Sequence, residues 1–73
     1  MFDEIALLIE ARLKPEKKMV AWNDSIRRFV VYGESTAIRE GVYTVPEFFV
    51  KYKDWITTSP YYIEFIAYIL GAC

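Results

Sequence analysis

A chain of 73 residues has room for one domain, and 55 % hydrophobic against 26 % charged residues is too apolar and too evenly charged for disorder. It contains no histidine, so the usual general base near neutral pH and the commonest metal ligand are missing, and its single cysteine, Cys73, can close no intrachain disulfide. The net charge of −1 gives no global reason to bind nucleic acid.

Residues 3–13 read as a helix. Ile5, Leu8, Ile9 and Leu13 recur at the spacing of one helical face, and Leu7 faces away from that stripe. Asp3 is placed as an N-cap with Glu4 in the first turn. Arg12 and Lys14 lie at the other end, where the helix dipole favours cations. Lys14 precedes Pro15, a position that resists helical geometry and ends the helix. Residues 16–33 support two readings. With period two, residues 18–22 and 27–32 are strands joined by the turn formers Asn23, Asp24 and Ser25. Arg28, Val30 and Tyr32 then share one face, and Arg27, Phe29 and Val31 the other. With period 3.6, Met19, Trp22, Ile26, Phe29 and Val30 line up, and Pro15 opens a helix. The β-branched and aromatic run at 29–32, closed by Gly33, favours the hairpin.

Residues 34–41 form a polar connection in which Gly41 permits a conformation other residues avoid, and 42–44 add a third short strand. Thr44-Val45-Pro46-Glu47 fits a capping box and starts a helix over 45–57. Phe48, Phe49, Tyr52, Trp55 and Ile56 fall on one face of it, with Lys51, Lys53 and Asp54 on the other. Residues 57–60 break that helix. Ser59 as N-cap and Pro60 in the first turn begin a last helix through Leu70, with Gly71 as its stop. This last helix is apolar on nearly every side, so it is either wrapped by the rest of the chain or covers a partner. The expectation is a single α+β domain over residues 1–73: an N-terminal helix, a small antiparallel β-hairpin or three-stranded meander, and two C-terminal helices. The acidic opening Met1-Phe2-Asp3-Glu4 does not suit a signal peptide. The longest apolar stretch, 61–72, contains Glu64 and falls short of the roughly 20 residues a membrane span needs. A chain without disulfides suits a reducing, cytosolic setting.

No constellation here suits catalysis. Asp3 with Glu4, or Glu34 with Glu40, are explained more simply as solvated carboxylates than as an acid–base pair in a cleft. Cys73 lies at a helix C-terminus beside the terminal carboxylate, which disfavours a reactive thiolate. The expectation is a protein that is not an enzyme and takes no cofactor and no metal. Charge is more informative. From Arg12 to Arg28 six basic residues stand against Glu16 and Asp24, a local excess of four, while 1–11 carry −3 and 29–73 carry −2. On the hairpin reading Lys17, Lys18, Arg27 and Arg28 lie close together, with Trp22 and Tyr32 near them. These six residues and Tyr43 are the candidate partner-binding set: cations for steering, rings as anchors. The same mixture suits single-stranded nucleic acid, which the net charge argues against, and a solvated strand face remains the plainest alternative. Two Trp, six Tyr and five Phe are more rings than a small interior hides, and Tyr43, Tyr61, Tyr62 and Tyr68 are expected to be partly exposed.

The length of 73, the opening MFDEIALLIEARLKPEKK and the later VYTVPEFFVKYKDW together resemble the small transcription regulators made by lytic phages of plant-pathogenic bacteria. The resemblance covers the whole chain and assigns no functional residue. It implies binding to the host RNA polymerase near the N-terminus of the β′ subunit. It further implies inhibition of σ-dependent initiation through loss of σ, and passage of polymerase through terminators. The setting implied is the cytoplasm of the infected bacterial host. A phage inhibitor of another host machine, a single-stranded nucleic-acid binder and a structural subunit that packs on itself through 60–70 are the other readings. A monomer without a membrane partner is the expected state.

Overall fold

The computed structural model of the chain describes residues 1–33 and 39–71; the connection at 34–38 and Cys73 lie outside them. Helix α1 spans Phe2–Arg12. It starts one residue before the expected boundary, because the Met1 carbonyl accepts from the Ile5 amide at 3.1 Å. Met1, not Asp3, is therefore the N-cap, and it makes no side-chain cap bond. The Met1 ammonium instead pairs with Glu4 at 2.6 Å and holds that carboxyl below its ordinary range. Ile5, Ala6 and Ile9 are buried on one face, and Leu7 stands in solvent on the other, as the spacing requires. The helix ends at Leu13, and a 3-10 turn over Lys14–Glu16 takes in Pro15. Lys17, with φ 57°, closes the turn in the left-handed region and redirects the chain into the sheet.

Strands β1 (Met19–Asn23), β2 (Arg28–Tyr32) and β3 (Arg39–Tyr43) form an antiparallel sheet in sequence order. The hairpin reading of 16–33 holds. Its register pairs Val20 with Val31 and Trp22 with Phe29, so one face of the sheet carries the large apolar side chains. In the turn, Asn23 Oδ1 accepts from the amides of Ser25 (3.0 Å) and Ile26 (3.3 Å). Arg27 completes the turn at φ 54°. The outer edge of β1 is sealed by α1, where Glu10 accepts from the Val20 amide at 2.9 Å. β3 is longer than the expected 42–44. Its pairing slips between Val31 and Tyr32, so that Tyr32 meets Arg39 and Glu40 is the extra residue of a bulge. No described glycine has positive φ, so Gly41 does not serve backbone freedom. A Cβ at 41 would stand 2.6 Å from Cζ of Tyr43, two residues on along the same strand. Gly41 is there for space.

The capping box forms as expected. The Glu47 amide donates to Thr44 Oγ1 at 3.2 Å, and the Thr44 amide donates to Glu47 Oε1 at 2.8 Å. The helix it starts is not continuous over 45–57. α2 (Val45–Lys51) and α3 (Lys53–Thr57) are separated at Tyr52, which sits at φ −117°, ψ 31°. In a straight helix Phe48 and Ile56 would diverge by about 12 Å along the axis and about 80° around it. The break lets both become fully buried in one core. Ser59 does not cap a helix at 60. Its hydroxyl donates to the Ile56 carbonyl at 2.7 Å and accepts from the Tyr61 amide at 3.3 Å, and α4 spans Tyr62–Gly71.

α1, α2, α3 and α4 all contribute to a core on one face of the sheet, so the fold is α+β with two layers. Phe29 is its centre. Its ring stacks on Phe48 (centroids 4.0 Å apart, 12° between planes) and meets Trp22 at 4.7 Å, Phe2 at 5.8 Å and Phe65 at 6.3 Å. Phe65 is the buried residue of α4, while Ile63 and Leu70 are 75 % and 70 % exposed. The chain therefore does not wrap this helix. Among the described residues no helix is long and apolar enough to cross a membrane.

Candidate interaction surfaces

The register separates the cations that the sequence grouped together. In an antiparallel hairpin two residues adjoin only when equally far from the turn. Arg28 pairs with Asn23 beside the turn, whereas Lys17 and Lys18 precede Met19, whose partner is Tyr32 at the open end. Lys18 and Asn23 are five residues apart along the strand, about 17 Å. The expected cluster of Lys17, Lys18, Arg27 and Arg28 is thus two sites at opposite ends of the sheet.

The turn end is held together by Arg27. Its guanidinium lies 5.4 Å from the Trp22 ring centroid, donates to the Tyr68 hydroxyl at 3.0 Å and pairs with Asp24 at 2.9 Å. Tyr68 and Asp24 together raise its affinity for the proton. Trp22 Nε1 also reaches Asp24 Oδ1, at 3.4 Å, and the indole packs 4.5 Å from Phe2. Trp22 is therefore half-buried on the core face, with Arg27 as its cover and α4 tied to the hairpin through Tyr68. The Arg28 guanidinium folds back on the turn and donates to the carbonyls of Arg27 (3.0 Å) and Ile26 (3.2 Å).

At the open end Lys18 sits between Glu16 (3.5 Å) and Glu40 (3.6 Å), whose charges raise its pKa, Glu40 most. The Glu40 side chain passes over Gly33, where a Cβ would lie 2.7 Å from its Oε2. Lys18 and Glu16 form one wall of an open groove of about 480 Å³ whose other wall is Lys51, Tyr52, Lys53 and Trp55 from the α2–α3 junction. Sequence periodicity gave Lys51 and Lys53 only a solvated helix face. The break at Tyr52, which no local signal announces, is what turns them toward Lys18. Tyr43, on the core face of β3, pairs with Phe29 toward the turn, but its ring leans back over Gly41: Lys51 Nζ lies 5.6 Å from its ring and 5.7 Å from that of Tyr52.

Burial raises the Tyr52 hydroxyl to about 12, with the charges of Tyr43, Glu16 and Glu40 adding to it. An unfolded tyrosine ionises near 10, so between about 10 and 12 the unfolded chain binds fewer protons and stability falls as pH rises. Tyr52→Phe should remove that part of the alkaline loss while leaving neutral stability nearly unchanged. Urea midpoints of both proteins across this range check it, and parallel curves would refute it.

Tyr32 projects from the opposite face of the sheet, the face away from the helices. Met19, Ala21, Arg28, Val30 and Val42 share that face, and none belongs to the core cluster. Arg39, paired with Tyr32, joins them there; the sequence pattern assigns it to the polar connection 34–41, and β3 with its bulge at Glu40 sets it on this face. Of the seven predicted residues, Trp22 and Arg27 meet at the turn, Lys17 and Lys18 lie at the open end, Tyr43 sits on the core face paired with Phe29, and Arg28 and Tyr32 occupy the outer face.

Comparison with known families, curated proteins and solved structures finds no match. The surfaces therefore have to be read on their own chemistry. Among the described residues no buried side chain is polar or charged, and no three Asp, Glu, Cys or His residues are placed to hold a metal ion. Large apolar side chains do stand in water: Ile63 and Leu70 on α4, Met19 and Val42 on the sheet, Ile26 in the turn. Such groupings are what an interface offers.

Proposed function

We propose that this chain is a small binding protein of phage origin that acts on the host's RNA polymerase in the cytoplasm of the infected bacterium. It docks near the N-terminus of the β′ subunit, impedes σ-dependent initiation by occlusion, and lets polymerase pass terminators. It performs no catalysis of its own. The observation that carries the binding half of this reading is the exposed apolar surface of α4 and the sheet, with Ile63, Leu70, Met19 and Val42 between 44 % and 75 % exposed. Covering such surface is worth about 25 cal/mol per Å² before the cost of association. The choice of polymerase is supported by the likeness of MFDEIALLIEARLKPEKK and VYTVPEFFVKYKDW to phage transcription regulators.

Immobilised chain should retain purified bacterial RNA polymerase core enzyme, and adding it should lower run-off transcript from a σ-dependent promoter. Arg27→Glu with Arg28→Glu should weaken retention more than Lys51→Glu with Lys53→Glu, because Arg27 also organises Trp22 and Tyr68 and Arg28 braces the turn. Core enzyme passing through unretained, with transcript unchanged, would refute the proposal. Equal weakening by the two double variants would refute the assignment to the turn end.

A further inference from the structure

The outer face of the sheet has a chemistry distinct from the other exposed surfaces. Strand alternation and register set two rows across it, Ala21–Val30–Val42 and Met19–Tyr32–Arg39, with Arg28 at the turn end of β2. Val30, 1 % exposed, is its floor; Met19 and Val42, 48 % and 44 % exposed, are its open sides. No Asp or Glu projects from the described strands on this face. Among the described residues its charged groups are Arg28 at one end and Arg39 at the other, about 13 Å apart along the strand. The Thr44 amide bond of the capping box and, after it, the Arg28 charge lower the pKa of Glu47, while the Arg28 guanidinium donates to the carbonyls of Arg27 and Ile26.

We propose that this face takes an acidic amphipathic helix of a partner protein, its apolar side chains on the exposed Met19, Ala21 and Val42 and its carboxylates toward Arg28 and Arg39. The dimensions suit one helix. Three strands span about 10 Å between the outer pair and five residues run about 17 Å, against a helix of roughly 10 Å diameter that covers this length in about eleven residues. Such a helix would supply the third layer of an α/β/α sandwich, mirroring the helices on the other face. Two carboxylates seven residues apart along it lie on nearly the same face, about 10 Å apart, and the length of the Glu and Arg side chains makes up the rest of the span. Charge excludes the other occupants. Two copies of the chain face to face would set arginine against arginine, with no carboxylate between them among the described strand residues. Single-stranded nucleic acid needs successive rings, and Tyr32 is the one ring among the described residues of this face.

The inference stands apart from the polymerase reading, and its test does not use polymerase. The whole chain, with methyl groups labelled, is titrated with a synthetic helical peptide of about twelve residues. The peptide has a Leu/Ala face and two Glu residues about seven apart. A second peptide has Lys at those positions, and a third titration uses an oligo-dT strand of similar length. The acidic peptide should shift the methyls of Met19, Ala21, Val30 and Val42 and leave those of Ile63 and Leu70 in place. It should bind at least ten-fold more tightly than the Lys peptide. Arg39→Glu should narrow that preference and Arg28→Glu with Arg39→Glu should reverse it, with unmoved Ile5 and Ile9 methyls showing that the core persists. Equal binding of the two peptides, shifts confined to α4, no shifts at all, or shifts produced by oligo-dT or by raising the protein concentration alone would each overturn the proposal.

Discussion

Phe29→Ala is expected to leave the chain largely unfolded at 37 °C. Phe29 is fully buried at the centre of β2, and its ring touches aromatic partners from β1, α1, α2 and α4. Replacing a buried Phe with Ala costs about 3–5 kcal/mol, at the upper end where the cavity cannot collapse. Rings held by three separate helices and a strand leave little freedom to collapse. A domain of this size has net stability on the order of 5 kcal/mol, so the substitution removes most of it. Phe29→Leu keeps much of the volume and should retain the fold with a smaller loss. Urea unfolding followed by far-ultraviolet circular dichroism distinguishes the three proteins. If Phe29→Ala shifts the midpoint no more than Phe29→Leu, the core is not organised around this ring.

What the sequence made legible was local. The capping box at Thr44 and Glu47, the stripe of Ile5 and Ile9, the strand pattern of 29–32 and the turn at Asn23 depend on neighbours within a few residues, and each forms as the spacing implies. Tyr43, Tyr61, Tyr62 and Tyr68 are partly exposed, as a count of rings against core volume suggests. What it hid was set by partners far along the chain. Nothing in KYKDW marks Tyr52 as a helix break; that geometry arises because Phe48 and Ile56 must both reach the same core. The bulge at Glu40 comes with a side chain that crosses Gly33 to Lys18, a contact invisible to any periodicity.

The separation of the four cations is hidden from the sequence for the same reason. Counting charges along 12–28 treats a segment as a patch, but an antiparallel register distributes a segment over both ends of a sheet. The rings followed the apolar pattern instead of the charges. Trp22 and Tyr43 turned toward the core face and Tyr32 away from it, so the three expected anchors do not share a surface. The exposed apolar residues that do share one, Met19 and Val42 with Ala21, do not stand out in sequence because each sits beside a larger or equally apolar strand residue that takes the core face: Met19 and Ala21 flank Val20, and Val42 precedes Tyr43.

Gly41→Ala should destabilise the fold by about 1–3 kcal/mol, the range of overpacking in a filled space. The sign of this effect is informative. Gly41 lies in a strand at ordinary φ, where alanine would usually be preferred by about 0.5–1 kcal/mol, so backbone preference alone predicts a gain. The loss is expected because the Tyr43 ring lies across position 41, with Cζ and Cε2 2.6 and 2.7 Å from the added carbon. The ring cannot simply swing out. It would give up its packing near Phe48, 6.1 Å between centroids, and its place under the Lys51 ammonium, 5.6 Å away. Tyr43→Ala removes the obstacle at its own cost, so the double variant Gly41→Ala with Tyr43→Ala should be no less stable than Tyr43→Ala alone. Chemical denaturation of the four proteins gives the coupling directly. Additive losses would mean that the ring does not occupy the glycine's space, and a gain in the single variant would mean that Gly41 costs the strand stability and protects nothing.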